Sequence, residues 1–404
     1  MSNSVQAPSA ALRRARVATA CGFFLQALIL VTILSRLPAF EDERGVTEGD
    51  ITILLLLTSV LAGVGSVVAE RIALARSSGF ALRLAMLTIS VMVIVVGLVE
   101  SVGAMYVVFA LYGIGVGAVD ASMNMQGVTV QKLYGRSIMT SFHGVWSIGA
   151  IVAAGYAGLT VLLDLTLRPT LILVGVLGIV LTLAVGRRFV TAAGLEHGAE
   201  VAADPEHVPH LRVPWQPILA LGLVIVVFYL ADTSVMSWST LYLHDALDAA
   251  EAIAPFGYAA YQAGAVVSRL TGDLFVRRYG AVAVVRAGTL IGFVALLGVV
   301  AAPSTWFVIV AFGVMGLGLP VIVPLAFAAA GTLPDSDADV AIARLNIFNY
   351  VGNIVGAALI GAIATGDGLR WIFVVPLVLV PLILLVARAF APRETASRAA
   401  PRGA

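Results

Sequence analysis

Asp120 is a carboxylate set in an otherwise apolar run, and Asn124 stands one helical turn beyond it on the same face. An ionisable side chain sheltered from water is a candidate proton carrier, and its structural alternative is a hydrogen bond that only orients helices. Asp232 is a second such carboxylate, with Tyr229 and Met236 at helical spacing around it. It reads as a substrate or proton contact, or as a fixed partner for a cation such as Arg36. Trp238 follows it and offers a stacking face for a ring or sugar, or an interfacial belt aromatic. Arg36 ends the first apolar run, where it either snorkels to the headgroups or turns inward to an acidic side chain or an anionic solute. Asn346, Asn349 and Asn353 fall at i, i+3 and i+7, so one helix face is lined by amides that suit a wet cavity wall. Membrane helices also use amides simply to pack. His143 is a possible member of a proton path or a hydrogen-bonded residue at a helix start.

These residues sit in a chain of 404 residues that is 60% apolar and only 12% charged, with a mean hydropathy of +1.02. Ordinary soluble proteins carry about twice that charge. The composition excludes a soluble globular enzyme, a disordered chain and a nucleic-acid-binding domain. A single cysteine, Cys21, excludes a disulfide framework and a cysteine-based metal site, and the other four histidines show no metal-ligand spacing. No cofactor is expected. Arginine replaces lysine everywhere except Lys132, a hint of a GC-rich bacterial genome.

The charges mark where the chain leaves the hydrocarbon. Stretches free of Asp, Glu, Lys and Arg cover 17–35, 51–69, 84–99, 101–119, 137–163, 169–186, 213–231, 252–268, 287–334, 345–366 and 371–387. The ninth is long enough for two spans and breaks at Pro303-Ser304. An all-α, polytopic protein of twelve transmembrane helices is therefore expected. Asp120 lies 17 residues beyond Gly103, roughly 26 Å down span four at ~1.5 Å per residue and a little inside the midplane. The first span follows Arg13, Arg14 and Arg16 without a small-residue cleavage site, so it reads as a retained helix. With the N-terminus in the cytoplasm, 20 of the 24 basic residues fall on the cytoplasmic side and only Arg36, Arg44, Arg168 and Arg370 lie outside. Both termini are expected in the cytoplasm, with the chain in a bacterial inner membrane.

The chain also repeats itself. Glu70 and Arg83 match Asp273 and Arg286 at an offset of 203 residues, and the same offset relates Gly113 and Gly115 to Gly316 and Gly318, and His143 and Gly149 to Asn346 and Gly352. This predicts two parallel six-helix halves, 1–190 and 214–404, joined by a polar linker over 191–213. Secondary transporters are commonly duplicated in this way, with the solute site near the midplane between halves. No G-x-x-x-x-G-K-[ST] loop is present, so the chain carries no ATP motor of its own.

After span eight the chain reads Arg269-Leu270-Thr271-Gly272-Asp273-Leu274-Phe275-Val276-Arg277-Arg278-Tyr279-Gly280. This resembles the loop signature of the major facilitator superfamily between helices 8 and 9, and a degenerate copy begins at Ala69-Glu70-Arg71. The tract Asp120-Ala121-Ser122-Met123-Asn124 resembles helix 4 of fucose-permease-like members, and Thr140 to Gly149 resembles their helix 5 opening. Trp238-Ser239-Thr240-Leu241-Tyr242-Leu243 is similar to a helix 7 stretch of relatives in that branch. The resemblance implies a major facilitator fold and gives Asp120 the place of the family's helix 4 substrate and proton carboxylate. The second carboxylate of fucose permease in helix 1 falls at Leu34 here, a departure from the pattern.

The residues and the resemblance together lead to a proton-coupled carrier of a small polar solute, with a sugar as one expected class, working as a monomer in the lipid bilayer by alternating access. Nucleic acid is not an expected partner. A drug or metabolite exporter is the rival within the superfamily, although span five lacks the usual G-P-x-x-G-G tract. A membrane solute sensor is the rival of another class, and the short tails argue against it. Arg269, Gly272, Asp273 and Arg277 are the expected gate. Arg269 and Asp273 stand at i and i+4, and the carboxylate is expected to meet the N-terminal end of a partner helix such as span eleven near Arg344.

Overall fold

The computed structural model describes residues 8–190, 215–302, 304–333, 337–363 and 369–391. The expected linker and Pro303 lie outside these residues. Twelve long helical segments follow one another: α1 Ala10–Ser35, α2 Glu48–Ala75, α3 Ser78–Leu98, α4 Val102–Tyr134, α5 Met139–Leu162 and α6 Leu167–Val185, then α7 Trp215–Leu241, α8 Phe256–Tyr279, α9 Ala281–Val300, α10 Thr305–Ala330, α11 Ala338–Ile363 and α12 Trp371–Phe390. Ten are long and apolar enough to cross a membrane. The other two are α8 and α11, at 24 and 26 residues. They are more polar because α8 carries Arg269, Asp273, Arg277 and Arg278, and α11 carries Asp339, Arg344 and the asparagine row.

Local chemistry sets the ends. Ser9 Oγ accepts from Leu12 N at 3.2 Å to start α1. Thr47 and Asp50 satisfy each other's backbone N–H in a capping box that starts α2. The helix α10 is interrupted between Gly318 and Ile322, beside Pro320, and α12 carries Pro376 within its first part.

The first six and the last six helices pack in matching pairs. Within the first six helices α4 packs on α2 and α3, α5 on α1, and α6 on α3. Within the last six α10 packs on α8 and α9, α11 on α7, and α12 on α9. The equivalence reaches single residues. A Cβ on Gly113 would lie 2.7 Å from the Thr58 carbonyl oxygen, and one on Gly316 would lie 2.1 Å from the Tyr261 carbonyl oxygen. Both contacts would be clashes, so the two helix pairs need glycine at these positions to approach so closely. Tyr261 is 203 residues beyond Thr58, the same offset that relates the glycines.

Large apolar side chains remain exposed around the bundle, Val107, Val180, Val294 and Val310 among them. In water such a surface would be a liability, whereas acyl chains cover it at no cost in hydrogen bonding.

Candidate functional site

The two groups of six helices meet along α8 against α5 and α11 against α2, with α11 also against α4 and α10 against α5. The site lies in this seam. Tyr350 of α11 donates its hydroxyl to Asp120 Oδ2 of α4 at 2.8 Å, and Asn346 and Asn349 lie beside the same carboxyl. Asn349 Nδ2 donates to Asn346 Oδ1 at 3.0 Å, and Asn346 Nδ2 donates to Ser66 Oγ of α2 at 3.0 Å. Asn349 Oδ1 is buried and has no hydrogen-bond partner among the described residues. Farther along α11, Asn353 Oδ1 accepts from Thr233 Oγ1 of α7 at 3.5 Å. The amide stripe therefore touches α2, α4 and α7 rather than lying idle on one face.

Asp232 of α7 is held differently. Its Oδ1 accepts the Tyr261 hydroxyl of α8 at 2.5 Å, and Tyr258 lies nearby. Tyr229 lies in the neighbourhood of both Asp120 and Asp232. Tyr350 and Tyr261 are the site residues that sequence reading misses. Their hydroxyl partners lie 230 and 29 residues away, and an isolated tyrosine in an apolar helix has no period or motif to mark it.

Asn124 does not point its amide at the Asp120 carboxyl. Its Nδ2 donates to the Asp120 backbone carbonyl at 2.8 Å, and its Oδ1 meets His143 Nε2 at 3.1 Å. The His143 ring is stacked on Phe327 of α10 and tilted against Phe23 of α1. Gln26 of α1 accepts from the Trp146 indole of α5. Trp238 packs half-buried against the core. Arg36 stands apart from this cluster: its Nη2 donates to the Leu165 carbonyl at 2.9 Å and approaches Glu43 at 3.7 Å, at the end of the bundle opposite the start of α1. It is not the partner of Asp232.

Nearer the Arg-rich end, where α1 begins, the residues expected to form a gate cross the seam. Asp273 is buried. Its Oδ1 accepts from Ser137 Oγ at 2.7 Å and Thr140 N at 3.2 Å, and its Oδ2 accepts from Ser141 N at 2.9 Å. The carboxylate thus caps the N-terminus of α5, where free N–H groups and the helix dipole favour an anion. The expected partner was α11, and the structure corrects this to α5. The expected i, i+4 pair is also replaced. Arg269 Nη1 donates across the seam to Ser147 Oγ at 2.8 Å, and its Nε to the Pro320 carbonyl at 3.4 Å. Arg277 Nη1 donates to the Ser137 carbonyl at 2.9 Å. Gly272 lies against α5, where a Cβ would come 3.0 Å from Thr140 Oγ1. The helix α11 finds its own anion in the degenerate copy of the loop, where Arg344 Nη2 meets Glu70 Oε1 at 2.9 Å. Glu70 and Asp273 are the repeat-related pair, so each group of helices sends one carboxylate across the seam to a helix of the other. Among the described residues, the hydrogen bonds joining the two groups fall between the depth of Asp120 and the Arg-rich end, so the seam is closed there.

Known proteins carry the same architecture. A family model for the Major Facilitator Superfamily matches residues 221–404. An uncharacterised MFS-type transporter of Yersinia pestis is 28% identical over 355 residues, covering 86% of this chain and 88% of that protein. An uncharacterised transporter of Sinorhizobium fredii is 27% identical over 370 residues, covering 91% and 96%. The crystal structure of FucP, a major facilitator transporter in the outward conformation, superposes with a TM-score of 0.71 at 13% identity, covering 93% of this chain and 98% of that one. The human organic anion transporter MFSD10 superposes with a TM-score of 0.70 at 12% identity, covering 93% and 99%. Twelve helices in two groups of six, the family match over residues 221–404 and relatives that span both groups agree: the chain is a multi-pass membrane protein with the major facilitator fold, similar to transporters of that superfamily.

Proposed function

We propose that the protein moves a small polar solute, with sugars the leading class, across the bacterial inner membrane by alternating access, and that it couples this movement to protons. Asp120 is the coupling acid and Asp232 the second acidic contact. The observation that carries the reading is the meeting of Asp120 with Tyr350, Asn346 and Asn349. It joins an ionisable group of the first six helices to polar side chains of the last six, in the seam where access must alternate. A charged carboxylate only accepts hydrogen bonds, whereas a neutral carboxyl also donates. Protonation therefore changes the partners that Asp120 can hold across the seam, which links proton binding to the opening of that seam.

Hydroxyl-rich solutes fit the same cluster. Asn349 Oδ1 has no donor among the described residues, the two aspartates accept, and Tyr229 and Tyr258 are aromatic neighbours of Asp232. Of the structural neighbours, FucP of Escherichia coli is described as a fucose:proton symporter, an analogy that favours a sugar and a proton in this site. The arginine-rich loops support cytoplasmic termini, and a site completed within one chain supports a monomer.

The test has two stages. A thermal-shift screen of purified protein against polar solutes identifies the ligand, since saturation at 100-fold the dissociation constant stabilises by about 2.7 kcal/mol. Vesicles holding a pH dye then report proton flux on addition of that solute. Flux that follows the solute supports coupling, and solute uptake without any proton movement rejects it.

A further inference from the structure

A groove of about 650 Å³ runs down the outer flank of the last six helices, away from the carboxyl cluster. Thr271, Phe275 and Tyr279 of α8 form one wall, Ala287 and Ile291 of α9 the other, and Val321 at the break in α10 the floor. Its lining is almost wholly apolar, and Phe275, Tyr279 and Ile291 are exposed, so it opens toward the membrane rather than the seam. The groove follows α8 from Val267 to Tyr279. Twelve residues of helix span roughly 18 Å, about the thickness of one hydrocarbon leaflet. At its Arg-rich end the Arg278 guanidinium lies over the Tyr279 ring, 5.4 Å from the centroid. Both side chains are exposed, and no carboxylate among the described residues pairs with Arg278.

The geometry points to a binding site for one anionic phospholipid, drawn from the leaflet on the Arg-rich side. The groove takes an acyl chain along a full leaflet depth, and the phosphate meets Arg278 at the mouth. Charge complementarity selects this occupant. A neutral apolar solute would leave the guanidinium unused, and a helix of a second copy would bring no fixed anion to it. The site also touches the gate. Gly272 belongs to the groove wall, and a Cβ there would lie 2.6 Å from Val321 Cγ2 and 3.0 Å from Thr140 Oγ1. The groove wall on α8 is thus the reverse side of the Asp273 contact with α5. A chain that fills the groove braces α8 against α10 and favours the state closed at the Arg-rich end.

Native mass spectrometry of the full-length protein, released from nanodiscs of equal phosphatidylglycerol and phosphatidylcholine, tests the proposal. The wild type should retain one phosphatidylglycerol in preference to phosphatidylcholine. Arg278→Gln should reduce that preference about fivefold, the loss expected for one basic residue at a membrane surface. Ala287→Phe, which fills the groove and leaves the cation in place, should remove the retained lipid altogether. Arg278 is exposed and holds no helix cap, so the first variant remains informative if the second does not fold. Equal retention of the two lipids by the wild type, or an unchanged preference in Arg278→Gln, would overturn the assignment and leave only an ordinary lipid annulus.

Discussion

Asp120 and Asp232 are each held by a tyrosine hydroxyl, and the two pairs have different geometry. The Asp120–Tyr350 bond crosses between the two groups of helices, while Asp232–Tyr261 stays within the last six. Removing each should therefore give a different phenotype. Asp120→Asn keeps the shape and can still accept from Tyr350, but it cannot exchange a proton. Solute-driven proton flux in vesicles should vanish while thermal-shift binding of the solute persists, and normal flux in the variant would remove Asp120 from coupling. Tyr261→Phe leaves the Asp232 carboxyl without its donor. Hydrogen bonds to charged groups are worth about 1.5–3 kcal/mol, so solute affinity should change at least tenfold by thermal-shift titration, with proton coupling retained. An unaltered affinity would make Asp232 a packing group only. The carboxylates were legible in the sequence because a charge in an apolar run is conspicuous. The tyrosines were not, because their roles exist only once distant helices meet.

At the scale of helices, the closed end is held by two carboxylates that serve helices of the other group. Asp273 accepts two backbone N–H groups of α5, and Asp273→Asn removes the charge that the helix start favours, at a cost of about 1 kcal/mol. The variant should populate the state open at the Arg-rich end about fivefold more, read as labelling of a cysteine placed in the seam at that end. Unchanged labelling would show that this contact does not gate. The loop was conspicuous in the sequence through its charges and its Gly272, yet its partner was not. The i, i+4 spacing of Arg269 and Asp273 suggested a pair within α8, whereas Asp273 bonds to α5 across the seam and Arg269 divides its bonds between Ser147 of α5 and the Pro320 carbonyl of α10. Spacing reports which residues share a helix face, and it is silent on what faces them.

Over the whole molecule the offset of 203 residues governs more than the helix count. It relates Thr58 and Gly113 to Tyr261 and Gly316 in helix packing, and Glu70 to Asp273 in closure. The glycines and acids could be matched in the sequence because duplication left their types recognisable. The mouth of the closed seam could not, because Arg344 answers Glu70 with a guanidinium where Ser141, its repeat counterpart, answers Asp273 with backbone N–H. This asymmetry makes a further prediction. Both contacts act on one closing equilibrium, and they join different helices at separate places, so their losses should add. With about 1 kcal/mol for each, Glu70→Gln with Asp273→Asn should shift the population roughly 25-fold, against about fivefold for either alone. The exchange Glu70→Arg with Arg344→Glu retains an opposite-charge pair and should restore much of the closure at that contact. Replacing Asp273 by arginine has no such rescue, because the N–H groups of α5 cannot be exchanged for an acid. Cysteine labelling in a Cys21→Ser background measures all of these populations on one scale. A double variant no more open than either single one would mean that only one of the two contacts holds the seam shut.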